Sequence, residues 1–287
     1  MIRLEIALDL DYDIAAPGCD FVFNIHAAHT PRQRVLDESL RLSQDLRWRV
    51  ETDPATLNRY LRVQAGAGML QLGYRATIEL QHHFAMPQEV PEVPIAQLPT
   101  PVLSYVYPSR YCQSDRLHRM AMREFGQHPQ GYARVVAIRD WVQQRTTFTS
   151  NSSNANTSAI DTLLEQVGVC RDFAHLMIAL CRAVNIPARF TTGIDYGADA
   201  ALGPTDFHAY VECYLGERWY MFDASGVAMP MGFVRFGTGR DAADVAFATI
   251  FGSVRPGAPR IAIRAVADAN GQLQLPRHCA EALSTDG

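Results

Sequence analysis

The sequence predicts an α+β protein, with an all-β region first and a mixed helix-and-strand region after it. Three observations carry that expectation. Through about residue 85, apolar residues recur at every second position, the period of a half-buried strand. A proline-rich stretch then interrupts the pattern. From Ser114 the period becomes helical, and after Pro187 it returns to alternation.

In the first region Ile2, Leu4, Ile6, Leu8 and Leu10 alternate with Arg3, Glu5, Asp9 and Asp11. Phe21, Phe23 and Ile25 repeat the pattern after a Pro17-Gly18 turn. Tyr60 to Val63 and Leu70 to Leu80 read as further strands, broken by Gly66-Ala67-Gly68. Several short strands joined by turn signals suggest a β-sandwich. Arg32 to Leu42 reads as a helix. Pro87, Pro91, Pro94, Pro99, Pro101 and Pro108 lack the amide donor that a ladder or helix interior requires, so an extended linker is expected. The division is drawn there: 1–108 as the β-sandwich-like domain ending in the linker, 109–275 as the second domain, and 276–287 as a polar, disordered tail.

The second domain opens with two amphipathic helices. Leu117, Met120, Ala121 and Phe125 share one face behind Ser114, and Val135, Ile138, Trp141 and Val142 share another. A polar loop, Asn151 to Asn156, precedes a capping-box pattern at Ser158-Ala159-Ile160-Asp161. The next helix begins at Cys170. Phe173, Met177, Leu180, Cys181 and Val184 form its apolar stripe, Asn185 suits a left-handed cap, and Pro187 ends it. A thiol at a helix N-terminus lies beside free backbone N–H groups and the positive end of the helix dipole, which favour the thiolate and suit an oxyanion. A cysteine beside a helix also serves as a small buried hydrophobe. What decides between these lies downstream.

There Arg189 to Ile194 reads as a strand, and Phe207 to Leu215 alternates apolar residues with His208, Tyr210, Glu212 and Tyr214. Gly216-Glu217 is a two-residue turn with Gly first, and Arg218 to Asp223 is the returning strand. If Leu215 pairs with Arg218, Tyr210 falls opposite Asp223, and His208 lies diagonal to Asp223 on the same face. Diagonal neighbours stand about 7–8 Å apart at the backbone, within reach of an imidazole–carboxylate hydrogen bond. A loop one residue longer would turn Asp223 to the other face. Cys170, His208 and Asp223 then take natural roles as nucleophile, proton carrier and tautomer-fixing carboxylate. The backbone N–H of Cys170 is the first oxyanion donor, and Asn151, Asn154 and Asn156 are open candidates for the second. Ile261 to Val266 reads as a last strand.

Composition narrows the function classes. Among 287 residues, 48% are hydrophobic and 20% charged, with a net charge of -4. That is ordinary for a globular protein, and without a basic stripe it argues against nucleic acid as a partner. The opening Met1-Ile2-Arg3-Leu4-Glu5-Ile6 carries charges inside its apolar run, unlike a signal peptide, and no stretch is long and apolar enough for a membrane span. The 6 cysteines form no CxxC pair, so reduced thiols and a cytoplasmic setting are expected.

Gly168 to Ala174, Arg182 to Arg189, His208-Ala209-Tyr210-Val211-Glu212 and Tyr220-Met221-Phe222-Asp223 together resemble the bacterial transglutaminase-like family, a branch of the papain-like cysteine enzymes. Gly239 to Val245 resembles a C-terminal signature of the same proteins. The resemblance implies a papain-like core behind the β-domain and a Cys-His-Asp triad at Cys170, His208 and Asp223. One departure is visible: Ala224-Ser225 stands where Pro-Thr usually follows the aspartate, and a looser strand end is expected. The activity implied is acyl transfer from a peptide or protein amide through a thioester. Hydrolysis ranks first, transfer to an amine acceptor (or deamidation) second, and a peptide-binding module that keeps the cleft is the non-catalytic alternative. Some animal transglutaminases depend on calcium, and Asp195, Asp199 and Asp206 offer carboxylates. Their loop lacks the EF-hand spacing, so no metal and no cofactor is expected. Asp172 is read as a first-turn carboxylate, Arg171 equally as a thiol neighbour or a surface residue, and His175 as a packing histidine. Cys181 and Cys213 are read as inert core thiols. Neighbouring His82 and His83 point to opposite faces of a strand and share no metal.

Overall fold

The computed structural model describes residues 1–197 and 205–286. The alternating N-terminal segments form β1 (Ile2–Ile14), β2 (Cys19–Phe23), β3 (Gln33–Leu42), β4 (Trp48–Thr52), β5 (Arg59–Ala65), β6 (Gly68–Leu80) and β7 (His83–Ala85). The helical region supplies a single turn α1 (Thr100–Leu103), then α2 (Ser114–Phe125), α3 (Tyr132–Arg145), α4 (Ala159–Glu165) and α5 (Cys170–Ala183). Two short strands, β8 (Thr147–Phe148) and β9 (Val167–Gly168), pair in parallel and brace the chain just before Cys170. Next come β10 (Ala188–Asp195), β11 (Phe207–Leu215), β12 (Arg218–Phe222) and β13 (Phe233–Gly239), followed by β14 (Ala248–Phe251), β15 (Val254–Pro256), β16 (Arg260–Val266) and β17 (Ala282–Ser284). No helix among the described residues is long and apolar enough to cross a membrane.

Two sheets build the β-layer. In one, β1 pairs with β6 on one side and with β15 and β16 along the other, and β3 closes the far edge. The second runs β14-β2-β5-β4. Leu4, Leu8, Phe21, Phe23, Leu61, Leu72 and Tyr74 pack between them. Alternation in the sequence thus becomes a shared apolar interior.

The third sheet, β12-β11-β10-β13, lies between two layers. Ala209, Val211, Cys213 and Leu215 join the core formed with α5, including Phe173, Met177 and Leu180. Ile194, Tyr210, Met221, Phe233 and Phe236 instead belong to the core of the β-layer. That double cover explains why every residue of β10 is buried although β11 alternates polar and apolar types. It also buries a row of charge. Glu212 is 0% exposed and receives both Arg189 and Arg235, which also meet Asp286.

Several expectations need correction. Arg32 to Leu42 is not helical: Gln33 to Leu42 pairs antiparallel with β6, with a register shift between Val35 and Asp37. Pairing with a strand already in place overrides a weak local helical period. The division at residue 108 misplaces the segment 248–266, because β14 joins β2 while β15 and β16 join β1. The sequence shows that Ile261 to Val266 is a strand but not which sheet receives it. The proline-rich stretch is not the extended linker expected: it turns through short 3₁₀ segments at Pro87–Glu89 and Ile95–Gln97 and through α1, and it is docked. Gly216 N–H donates to the Pro91 carbonyl, Glu92 pairs with Arg134, and Leu98 and Val102 pack on Tyr214 and Trp219. Finally, the expected disordered tail is ordered between 282 and 286. Ala282 and Leu283 are buried, β17 pairs with β7, and Asp286 completes the buried charge row. Two apolar residues, one carboxylate and the buried Ser284 and Thr285 hold a segment that is polar by composition, with Thr30 and Arg235 both donating to Thr285.

Candidate active site

Cys170 begins α5 as expected, and its side chain is half-buried. The N-cap is Val169, whose side chain has no acceptor, so the cap comes from the third helical residue instead. Val169 N–H donates to Asp172 Oδ2 at 2.9 Å, and Ser153 Oγ donates to Asp172 Oδ1 at 2.8 Å. Asp172 is therefore the first-turn carboxylate that the sequence suggests. Arg171 ties down the polar loop, donating to Ser153 Oγ and to the Asn154 carbonyl, and lines the cleft beside Cys170. Of the three loop asparagines, Asn151 lines the cleft, whereas the Asn154 side chain accepts from the Asn156 N–H. Asp172→Ala is expected to cost about 1–2 kcal/mol, since it leaves the half-buried Val169 N–H without its cap. Thermal unfolding of the variant measures this.

The hairpin takes the expected register. Leu215 pairs with Arg218 and Val211 with Phe222. Gly216 and Glu217 both have positive φ, 50° and 62°, the mirror-image turn that matches strand twist. His208 Nε2 lies 3.3 Å from Asp223 Oδ1. Asp223 is also gripped from its own loop. Ser225 N–H and Oγ donate to Oδ1 at 2.9 and 2.7 Å, and Ala228 N–H donates to Oδ2 at 2.9 Å. The strand end expected to be loose at Ala224-Ser225 is thus held by the serine itself.

Electrostatics follow from this packing. Burial alone would raise the Asp223 carboxyl, but His208, Ser225 and the Ala228 N–H outweigh it and hold Asp223 below the usual carboxylate range. Burial alone would lower His208. The charges of Asp195 and Cys170, with hydrogen bonds to Asp223 and Cys170, carry the imidazole well above its ordinary value instead. With Nε2 committed to Asp223, Nδ1 is the ring nitrogen left for the thiol. Cys170 Sγ also approaches the Phe207 carbonyl at 3.9 Å.

These groups open onto a cleft of about 730 Å³, whose walls include Phe148, Phe207, Val227 and Phe247 beside Cys170, His208 and Asp195. Phe207 and Phe247 stack with centroids 4.2 Å apart. The remaining candidates fall into structural places. His175 stacks on Tyr111 and accepts the Ala242 N–H at 3.1 Å, and burial keeps it neutral. Cys181 and Cys213 face each other in the core at 3.8 Å, and burial pushes the Cys213 thiol well up. His83 stands in β7, and burial pushes His82 down to about 4. Asp206 accepts its neighbour's N–H, and Asp199 lies outside the described residues. Sequence reasoning missed Asp241. It accepts the Tyr111 N–H at 2.9 Å and so fixes the wall formed by Ala242, Ala243 and Val245. Its place in the Gly239 to Val245 signature was the available signal.

Comparison with known proteins agrees with this architecture. The description of the transglutaminase-like superfamily core matches residues 119–224, and that of the bacterial transglutaminase N-terminal domain matches residues 2–101. A crystal structure from Cytophaga hutchinsonii, described as a candidate cysteine protease, is 36% identical with a TM-score of 0.89, covering 99% of this chain and 97% of that one. Among curated sequences, an uncharacterized protein of Mycobacterium leprae is 31% identical over 116 residues, 39% of this chain and 42% of the relative. One of Mycobacterium tuberculosis is 30% identical over 110 residues, 34% of this chain and 35% of the relative. The match thus spans less than half the length of these curated relatives. Fold, site architecture and both family matches agree: the chain belongs to the bacterial transglutaminase-like family, with its cysteine-protease/transglutaminase-like core preceded by a β-rich region.

Proposed function

We propose that this protein hydrolyses a peptide or side-chain amide through a thioester on Cys170. His208 is the proton carrier and Asp223 the carboxylate that orients it. The observation that carries the reading is His208 itself, which lies 3.3 Å from a four-times hydrogen-bonded carboxylate and lines the same open cleft as a half-buried thiol at a helix N-terminus.

Each step uses a group already in place. The Cys170 thiolate attacks the amide carbon, and the developing oxyanion meets the Cys170 N–H, which has no acceptor within the helix. The imidazolium of His208 gives its proton to the leaving nitrogen, and the C–N bond breaks. Neutral His208 then takes a proton from water, which attacks the thioester and restores the thiolate. Asp223 keeps Nε2 protonated throughout, leaving Nδ1 to exchange the proton. Water is the default acceptor at such a cleft, which favours hydrolysis over transfer to an amine.

The test is iodoacetamide labelling against pH, mapped by peptide mass spectrometry. Cys170 is expected to label selectively well below pH ~8.5, the free-thiol value, and His208→Ala is expected to abolish that selectivity. Labelling of Cys170 no faster than the other cysteines would sink the enzymatic reading and leave a peptide-binding cleft.

A further inference from the structure

Asp195 takes no part in the chemistry above, yet it stands beside it. The residue ends β10 and is 2% exposed. Its Oδ1 accepts from Tyr210 OH at 2.8 Å. Its Oδ2 has no hydrogen-bond partner among the described residues and lies 3.9 Å from His208 Nδ1, at the wall of the cleft. A buried carboxylate oxygen without a donor is costly unless a positive charge stands next to it.

The surrounding elements identify that charge. From β11 the carboxylate meets His208 and Tyr210, from the turn after β12 it feels Asp223, and from the start of α5 Cys170 shares the same imidazole. On β13 the nearest cation, Arg235, is committed to Glu212 and Asp286, and Phe233 covers the Tyr210 ring. His208 is the positive partner that remains. The placement follows from register. Gly193 pairs with His208 and Thr191 with Tyr210, so Asp195, two residues beyond Gly193, projects from the same face of the sheet.

We propose that Asp195 is a positioning residue that holds His208 as imidazolium from the Nδ1 side while Asp223 holds it from the Nε2 side. The inference rests on the proposed Cys170–His208–Asp223 reading and adds a second carboxylate to it. The thiolate and Asp195 both face the nitrogen that exchanges the proton. When Cys170 is acylated and its charge is gone, Asp195, once ionised, is the anion left on the Nδ1 side to keep His208 basic toward water.

The test reads two midpoints in one protein. His208 ring protonation is followed by ¹⁵N NMR against pH, assigned by comparison with His208→Ala, and Cys170 alkylation by iodoacetamide is followed over the same range. In Asp195→Asn, which keeps an acceptor for Tyr210, His208 is expected to lose its proton at least about one pH unit lower than in the wild type. The pH at which Cys170 begins to alkylate is expected not to rise, and Asp195→Glu is expected to restore the upper midpoint. An upper midpoint unchanged in Asp195→Asn overturns the inference. So does a rise of the Cys170 onset toward the free-thiol value of about 8.5, which marks a misplaced ring rather than a missing charge. Should the variant not fold, the wild type still decides. Burial chiefly, with Asp223 adding, pushes the Asp195 carboxyl up to about 7 against the pull of His208 and the Tyr210 hydroxyl. The His208 Nδ1 resonance must then move through the same inflection as the Asp195 carboxyl carbon, and a flat resonance refutes the contact. Wild-type Cys170 no more reactive than the other thiols would instead bring down the triad reading beneath it.

Discussion

Asp223→Asn is expected to lower turnover by roughly 10³- to 10⁴-fold while leaving the protein folded, the scale seen when a triad carboxylate becomes an amide. The carboxylate now accepts from His208, from both Ser225 donors and from the Ala228 N–H. An amide has one acceptor oxygen and one donor nitrogen for those places. If its oxygen serves the Ala228 N–H, its NH₂ meets the Ser225 donors and faces His208 Nε2, favouring the tautomer with the proton on Nδ1, which cannot take a proton from the thiol. If its oxygen serves His208, the buried Ala228 N–H meets an NH₂ and the loop shifts. Either way the charge that balances the imidazolium is gone. The measurement is Cys170 acylation by an activated ester, followed by turnover of a chromogenic peptide amide. A variant within tenfold of the wild type would remove Asp223 from the mechanism.

Glu212→Ala is expected to cost about 3–5 kcal/mol of stability. Glu212 is fully buried and receives two arginines, Arg189 and Arg235, of which Asp286 alone would remain as a counter-charge. Losing one partner of a buried cluster leaves guanidinium groups desolvated without compensation. At this chain length the loss corresponds to roughly a 10 °C fall in Tm. Breaking the exposed Arg123–Glu124 pair by Arg123→Ala should cost below about 1 kcal/mol and serves as the control. If Glu212→Ala melted within a degree or two of the wild type, the buried row would be carrying little of the fold.

What the sequence made legible was local. The helix that starts at Cys170 was readable from its stripe and its stop signals, and Asn185 does adopt positive φ there. The His208–Asp223 approach was readable because a two-residue turn fixes register, and register fixes faces. Both depend on fewer than twenty consecutive residues. What failed depended on partners distant in sequence. Val35, Leu40 and Leu42 fit a helical or an extended period, and only β6 decides between them. The even positions of β11 look like a solvent face, yet Tyr210 and Glu212 are 0% exposed because the β-layer covers them. The sequence places Asp195 at the start of a loop, a carboxylate with no metal expected and no assigned partner. Its neighbours, Tyr210 and His208, are set by the pairing of β10 with β11.

The return of β14, β15 and β16 to the β-layer has a consequence for how the molecule is made. Until residues 254–266 have been synthesised, one edge of the thirteen-residue strand β1 is open, with the backbone N–H and C=O of alternate residues unpaired. The helical and catalytic segments must leave the ribosome before that edge can close. The β-layer is therefore completed late, by pairings between the two ends of the chain that are slow to form because the intervening loop is long. An isolated 109–275 fragment carries three orphan strands and lacks the layer that covers Tyr210 and Met221. A cut at the proline-rich stretch therefore leaves unpaired strand edges on both sides rather than two self-contained domains.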